Sequence, residues 1–466
     1  MPEPIWVESL DLDAQGIARL APDEKEQEQG QSGKVLFIQG ALPTELVTYS
    51  ITREKSRFTK AKVLSVIKPA VFRAKPRCEA FGRCGGCTMQ HLDIQAQVAM
   101  KQRVLEDDLK HIGKTTPQEM MRPMRGPDWE YRHRARLSVV NRSIKKGTVL
   151  VGFHEVKSAY VADMTACEIL PKFISDLLPE LRKLVMGLSV IDHLPQIELA
   201  IGEPEDSSSL DPEKARPVTA LVFRHLKPLT EADEALLKVF ADQHRVWIWL
   251  QPKGIETVAP FYPTTGKLCY RLPEFSIEMP FKPADFTQVS HMMNRSLVSR
   301  AVRLLEVQAD DRVLDLFCGI GNFTLPLASK AREVLGIEGL ASLTERAQAN
   351  AQHNQLTHKA RFMQSNLFGV TPETIGSWGK AERWLMDPPR EGAMDVCQSL
   401  AKLHQEMSPL LPQKIVYVSC NPKTLARDAE ILCHHAGYTL QAAGIINMFP
   451  HTSHVESMAV FERARN

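Results

Sequence analysis

The chain has 466 residues, 44% of them hydrophobic and 24% charged, with a net charge of +2. That composition fits a globular protein of two to four domains. No apolar run approaches the roughly 18 residues of a membrane helix, and Met1-Pro2-Glu3-Pro4 has neither the basic nor the apolar part of a secretory signal, so a cytoplasmic protein is expected. The charge is uneven: residues 1–50 hold 3 Lys/Arg against 9 Asp/Glu, and residues 51–150 hold 22 against 9. A basic block of that size either neutralises the phosphates of a polyanion or forms a solvated face.

In chain order, residues 1–68 read as short strands. Val35-Leu36-Phe37-Ile38 and Glu45 to Ile51 flank a turn at Gly40-Ala41-Leu42-Pro43, and Ala61 to Ile67 adds another strand. Five or so strands in that length predict a small barrel of the oligonucleotide-binding sort, with residues 22–33 as a polar loop between strands. Residues 69–274 are mixed. Cys78, Cys84 and Cys87 crowd into ten residues, with Gly85 and Gly86 relaxing the turn between the last two. Clustered thiols in a reducing compartment bind metal or do chemistry more often than they form disulfides. A fourth ligand must come from elsewhere, and Cys167 in Ala166-Cys167-Glu168 is the choice; spacing alone does not separate zinc from iron–sulfur. Gln97 to His111 reads as a helix. Tyr131-Arg132-His133-Arg134-Ala135-Arg136 suits a strand with a cationic face, and residues 203–216 an inserted loop.

From about residue 275 the pattern becomes strand, turn, helix, repeated, which predicts a doubly wound α/β domain. Arg312 to Phe317 runs into Cys318-Gly319-Ile320-Gly321-Asn322, where the glycines let backbone approach a nucleoside and a helix opens at Asn322. Glu338 ends the next strand, 23 residues after Asp315, where a carboxylate can accept from both ribose hydroxyls. Ala341 to Gln355 is a helix and Arg361-Phe362-Met363 a third strand. Arg383 to Met386 ends in Asp387-Pro388-Pro389-Arg390. Together these turns point to S-adenosylmethionine; the plain alternative is a structural βα turn with a surface Glu.

Lys414 to Val418 reads as a buried strand running into Ser419-Cys420-Asn421-Pro422, so the thiol sits where a parallel sheet ends and a ligand crevice opens. Cys318 and Cys397 stand in less specific surroundings and read as passive. Glu456 follows in the last strand pair, and a doubly wound sheet can bring it near Cys420 as a proton acceptor. A nucleophile and a base suit methylation of uracil carbon 5, which is too poor a nucleophile until a thiolate adds to carbon 6. A thiolate requires a lowered pKa, and Arg390 and Lys423 are the nearby cations.

With these residues in hand, nearly the whole chain resembles the RNA uridine-5 methyltransferases of the TrmA/RumA class, and within it the bacterial 23S rRNA (uracil-C5)-methyltransferases. The resemblance implies a multidomain α/β protein. Residues 1–68 would be a TRAM-like, oligonucleotide-binding-type β-barrel and 69–274 a central α+β domain with an iron–sulfur cluster. Residues 275–466 would be a Rossmann-like class I methyltransferase domain, on which residues 91–121 can pack. It implies a [4Fe-4S] cluster on Cys78, Cys84, Cys87 and Cys167. It implies S-adenosylmethionine contacts from Gln288, Phe317, Asn322, Glu338, Asn366 and Asp387, with Cys420 as nucleophile and Glu456 as base. Family members often have Asn where Ser290 stands. The expected partner is a folded segment of 23S rRNA with the target uridine flipped out; no membrane or obligate protein partner is expected. The alternatives are a uridine methyltransferase for another 23S site or for tRNA, and a non-catalytic iron–sulfur RNA-binding factor.

Overall fold

The computed structural model describes residues 3–11, 13–21, 33–205 and 215–464. Most of the polar loop expected at 22–33, and residues 206–214 of the loop expected at 203–216, lie outside the described residues. The chain forms two compact units, one of residues 1–104, 154–162 and 449–453, the other of 105–153, 163–448 and 454–466.

The described residues of the first unit hold six strands, in keeping with the five or so expected: β1 (Ile5–Trp6), β2 (Ser9–Leu10), β3 (Gln15–Arg19), β4 (Val35–Gln39), β5 (Leu46–Glu54) and β6 (Phe58–Lys68). They pair in the order β1-β5-β6-β4-β3-β2. The two edge strands are joined by Val7 and Glu8 alone, so a sheet this long must curl back on itself, as a barrel does. Alternation along β4 and β5 turns Leu36, Ile38, Val47 and Tyr49 inward with Ala18 and Ala61. Met89 and Leu92, just after the cysteines, pack with Leu42 and Ala70. Glu45 is fully buried and accepts from the Leu42 and Ala70 amides and the Arg73 guanidinium, which holds its carboxyl below the usual range. Helix α1 (Ile94–His111) starts three residues before its expected position.

The described residues of the second unit form three sheets. β8 (Arg134–Arg142), β9 (Thr148–Gly152), β10 (Gln196–Gly202), β11 (Val218–Arg224), β12 (Trp247–Gln251) and β13 (Ala259–Tyr262) pair in the order β13-β12-β11-β10-β8-β9, and β14 (Leu268–Leu272) pairs with β15 (Ile277–Phe281). β8 is the basic stretch, but it is no uniform cationic face. Arg134 turns its guanidinium onto the carbonyls of Pro283 and Asp285 and the Thr287 hydroxyl. Five donors on one planar group can only be met by such a set of acceptors once it leaves water. Arg136, by contrast, is exposed and pairs with Glu198 at 3.0 Å.

The large sheet is built from β16 (Arg312–Leu316), β17 (Glu333–Glu338), β18 (Ala360–Gln364), β19 (Arg383–Met386), β20 (Lys414–Ser419), β21 (Tyr438–Ile446) and β22 (Glu456–Arg463), with the two-residue β7 (Glu119–Met120) at one edge. Its order is β18-β17-β16-β19-β20-β22-β21-β7. β16 to β20 are parallel, and β16, β17, β19 and β20 are buried on both faces, which is why they read as apolar runs; β18, at the edge, leaves Arg361, Met363 and Gln364 exposed, and every residue of β20 is buried. Strand order reverses between β16 and β19, which places the crevice for a ligand outside their carboxyl ends. Helices α2 (His291–Leu305), α3 (Ala341–His353), α4 (Met394–Gln405) and α5 (Pro422–His435) cover the sheet's connections. α3 ends two residues short of the expected Gln355. The helix expected to open at Asn322 begins at Thr324, after a turn.

Candidate active site

β16 delivers Phe317 into the left-handed region, at φ 63°, followed by Gly319 at φ 55° and Gly321 at φ 92°. A phenylalanine there is strained, a cost that persists at sites held by their surroundings. A Cβ on Gly319 would meet nothing within 4 Å, so glycine answers a conformational demand there. The Glu338 carboxylate accepts from the Gly319 amide at 3.0 Å and the Leu340 amide at 3.1 Å, which aims it at the mouth of the turn.

Beneath the turn, Asp315 is fully buried and accepts from the Thr324 hydroxyl. Burial pushes its carboxyl up to about 8, with the charges of Asp387 and Glu338 adding to the shift. Asp387, on the neighbouring strand end, is likewise pushed up to about 7 by lost hydration. Phe317 packs edge-on against Phe368 at 6.0 Å, and the exposed Asn366 accepts from the Phe368 amide. Asn322 points its amide into the protein: Oδ1 accepts from the Tyr270 hydroxyl at 2.8 Å and from Asn294 Nδ2 at 2.9 Å, and Nδ2 donates to Asn294 Oδ1 at 2.9 Å. Five of the six expected cofactor residues thus lie along or just beyond the ends of β16, β17, β18 and β19. Gln288 lies outside this group, in the loop ahead of α2. The next residue, Val289, accepts from the His133 amide at 2.7 Å, and Ser290 caps α2 by accepting from Met293, a role for which a serine hydroxyl is well suited.

Cys420 and Glu456 meet through register. β20 and β22 pair antiparallel, with Ser419 opposite Ser457. One step further along each strand, Cys420 stands opposite Glu456. Their mutual influence is direct: burial pushes the Cys420 thiol up to about 11, with the charges of Glu456 and Asp387 adding and Arg390 opposing. The expectation of a lowered pKa is overturned, because two carboxylates and lost hydration outweigh one guanidinium. Lys423 acts on Asp108 instead. The Asp-Pro-Pro-Arg turn is tied to the start of α5, where Asn421 Nδ2 and the Thr424 hydroxyl donate to the Arg390 carbonyl at 3.1 and 3.2 Å. Below a pKa of about 11 the thiolate fraction falls tenfold per pH unit. Iodoacetamide labelling of Cys420, followed by peptide mass spectrometry, should therefore quicken about tenfold per pH unit from 7 to 10. A rate that levels off near pH 8 would show the thiol to be acidic after all. Cys318 and Cys397 are buried, and burial pushes both thiols well above the ordinary value, as passive residues should be.

Cys78, Cys84 and Cys87 share one loop of the first unit. Cys84 is buried, its sulfur accepts from the Gly86 amide at 3.4 Å, and Cys78 is near enough to help raise its pKa. The Cys78 amide donates to Gln90 at 3.1 Å, and Gly85 donates to the His154 carbonyl at 2.8 Å. Cys167 belongs to the second unit, buried, its amide donating to Ser175 at 2.8 Å. Among the described residues no group of three or more His, Cys, Asp or Glu side chains is gathered to hold a metal ion. The chemistry of the donors suits a soft metal, but the four-thiol site is not itself visible.

The sheet order and the residues at its carboxyl ends define a methyltransferase fold. The family described as tRNA (Uracil-5-)-methyltransferase matches residues 274–367 and 376–464. The chain is 78% identical over 462 residues to the 23S rRNA (uracil(1939)-C(5))-methyltransferase RlmD of Polynucleobacter necessarius, covering 99% of this chain and 97% of that protein. It is 59% identical to the protein of that name from Cupriavidus pinatubonensis, over 98% of this chain and 95% of that one. The crystal structure of Pyrococcus abyssi tRNA (uracil-54, C5)-methyltransferase with S-adenosyl-L-homocysteine superposes with a TM-score of 0.70 at 20% identity, over 98% of this chain and 100% of that one; at that identity it shows the shared fold. The chain belongs to the RNA (uracil-C5)-methyltransferase family.

Proposed function

We propose that the chain transfers a methyl group from S-adenosylmethionine to carbon 5 of a uridine in 23S rRNA, with Cys420 as nucleophile and Glu456 as base. The observation that carries this reading is the β20–β22 register, which sets a thiol against a carboxylate within the influence of Asp387 and Arg390. Cys420 loses its proton through the half-exposed site and its sulfur bonds to carbon 6 of the uracil. The carbon 5–carbon 6 electron pair moves out to an enolate. Carbon 5 then bonds to the methyl group, and the carbon–sulfur pair stays with the departing S-adenosylhomocysteine. Glu456 takes the carbon 5 proton, the double bond re-forms, and the carbon 6–sulfur pair returns to Cys420. The sulfonium supplies an electrophilic methyl group. Gln288, Phe317, Asn322, Glu338, Asn366 and Asp387 would hold the cofactor, Glu338 through the ribose hydroxyls.

A flipped uridine would enter the pocket, while the basic surface and residues 1–68 hold the folded RNA. On that barrel, half-exposed Trp6 under the Lys68 ammonium, 5.4 Å from the ring centre, offers a stacking face beside a positive charge. Residues 69–274 and 275–466 would serve as the central and catalytic domains. The end of the 91–121 segment supports its assignment to the catalytic sheet, since β7 pairs with β21. Tritiated-methyl transfer to 23S rRNA and tRNA transcripts decides the substrate. The named relatives make uridine 1939 the first site to test, and label on tRNA alone would overturn the reading.

Cys78, Cys84, Cys87 and Cys167 are the proposed ligands of a [4Fe-4S] cluster with a structural, RNA-facing role; no step of the transfer passes through it. Protein prepared without oxygen should be brown and carry about four irons per chain. Stoichiometric zinc in its place would contradict the cluster.

A further inference from the structure

Two side chains from separate elements converge on Asn322, and neither belongs to a sequence motif. Tyr270 comes from β14, Asn294 from the first turn of α2, and Asn322 from the turn after β16. Tyr270 and Asn294 are buried, with 2% and 3% of their surface exposed. An amide offers two oxygen lone pairs and two N–H groups. Tyr270 and Asn294 occupy both lone pairs of Asn322 and one of its N–H groups. A single Nδ2 hydrogen is left for a ligand. Burial raises the Tyr270 pKa far beyond neutrality, so its hydroxyl keeps the proton that it donates to Asn322 Oδ1. The tyrosine ring is in turn stacked on His291 at 5.8 Å, and His291 lies flat on His133, 4.5 Å between centres and 4° between planes. Burial keeps both imidazoles below the ordinary histidine range, which removes the repulsion that two stacked cations would suffer.

The geometry points to Tyr270 and Asn294 as positioning residues for the cofactor: they lock the Asn322 amide so that its one remaining N–H faces an acceptor atom of S-adenosylmethionine. This rests on the cofactor role proposed above for Asn322. Removing the hydroxyl in Tyr270→Phe takes away one of the three hydrogen bonds that hold the Asn322 amide and leaves the cofactor and the RNA untouched.

The test is calorimetric binding of S-adenosylmethionine to the full chain, with steady-state kinetics beside it. Tyr270→Phe should raise the Kd and the KM for S-adenosylmethionine about 3- to 10-fold, the worth of one neutral hydrogen bond. The kcat at saturation and the KM for RNA should hold within about twofold, a split that a general loss of structure would not produce. In an Asn322→Ala background the same change should add nothing, because the tyrosine acts through that amide. Should Tyr270→Phe fold poorly, Asn294→Ser cuts the amide pair alone and should raise the Kd likewise. Wild-type affinity in both variants, or a full additional loss in the double variant, overturns the inference. Wild-type protein that binds no S-adenosylmethionine would instead overturn the proposed function itself.

Discussion

Replacing Cys420 with alanine should cut methyl transfer by at least about 10⁴-fold, because no other group at the site can add to carbon 6. The half-exposed thiol lies at the end of β20, just ahead of α5, whose start is capped by Asn421, so its loss leaves the fold intact. RNA affinity, read by filter binding, should stay within about twofold, since the contacts that hold the polyanion lie elsewhere. Normal turnover by Cys420→Ala in a tritiated-methyl assay would remove the sulfur from the mechanism. The raised thiol pKa sharpens the expectation: with burial, Glu456 and Asp387 all favouring S–H, the resting thiol keeps its proton at neutral pH and must lose it as the sulfur adds to the uracil.

Glu456→Gln should stop the reaction one step later. Addition and methyl transfer need no proton acceptor at carbon 5, whereas elimination does. RNA should therefore remain bonded to Cys420, giving a retarded band on a denaturing gel, and turnover should fall by about 10²- to 10⁴-fold, the range of a lost general base. The amide is nearly isosteric and sits at the first residue of β22, in register with β20, so the strand pairing should survive. Free RNA at full turnover would show that another group takes the proton. The two variants divide the mechanism cleanly: one cannot form the adduct and the other cannot release it.

Much of the catalytic sheet was legible because its strands are buried on both faces. Arg383 to Met386 and Lys414 to Val418 read as apolar runs and appear as strands with nearly those bounds. The turns after them were legible because glycine and proline mark backbone that other residues adopt at a cost. The meeting of Cys420 and Glu456 was only half legible. The sequence places both near strand ends, but their register depends on β22 returning between β20 and β21, a long-range choice no local pattern encodes. Arg134 misled for a related reason: alternation in a basic strand says which residues share a face, not whether that face meets solvent or the carbonyls of Pro283 and Asp285. Tyr270 and Asn294 gave no signal, because an aromatic in a strand and an amide in a helix are ordinary until a third element brings them together.

The strand β7 is two residues long, yet it caps the sheet beyond β21, its Glu119 and Met120 paired with Ala442 and Ala443. On either side of it, Gln118 donates to the Leu440 carbonyl and Met121 to that of Ala443. A fragment starting at residue 275 would leave those carbonyls bare along an apolar rim, the kind of margin that recruits a neighbouring chain. The catalytic half is therefore not a separable module: its last margin is sealed by residues that the ribosome makes some three hundred positions before the strand they protect.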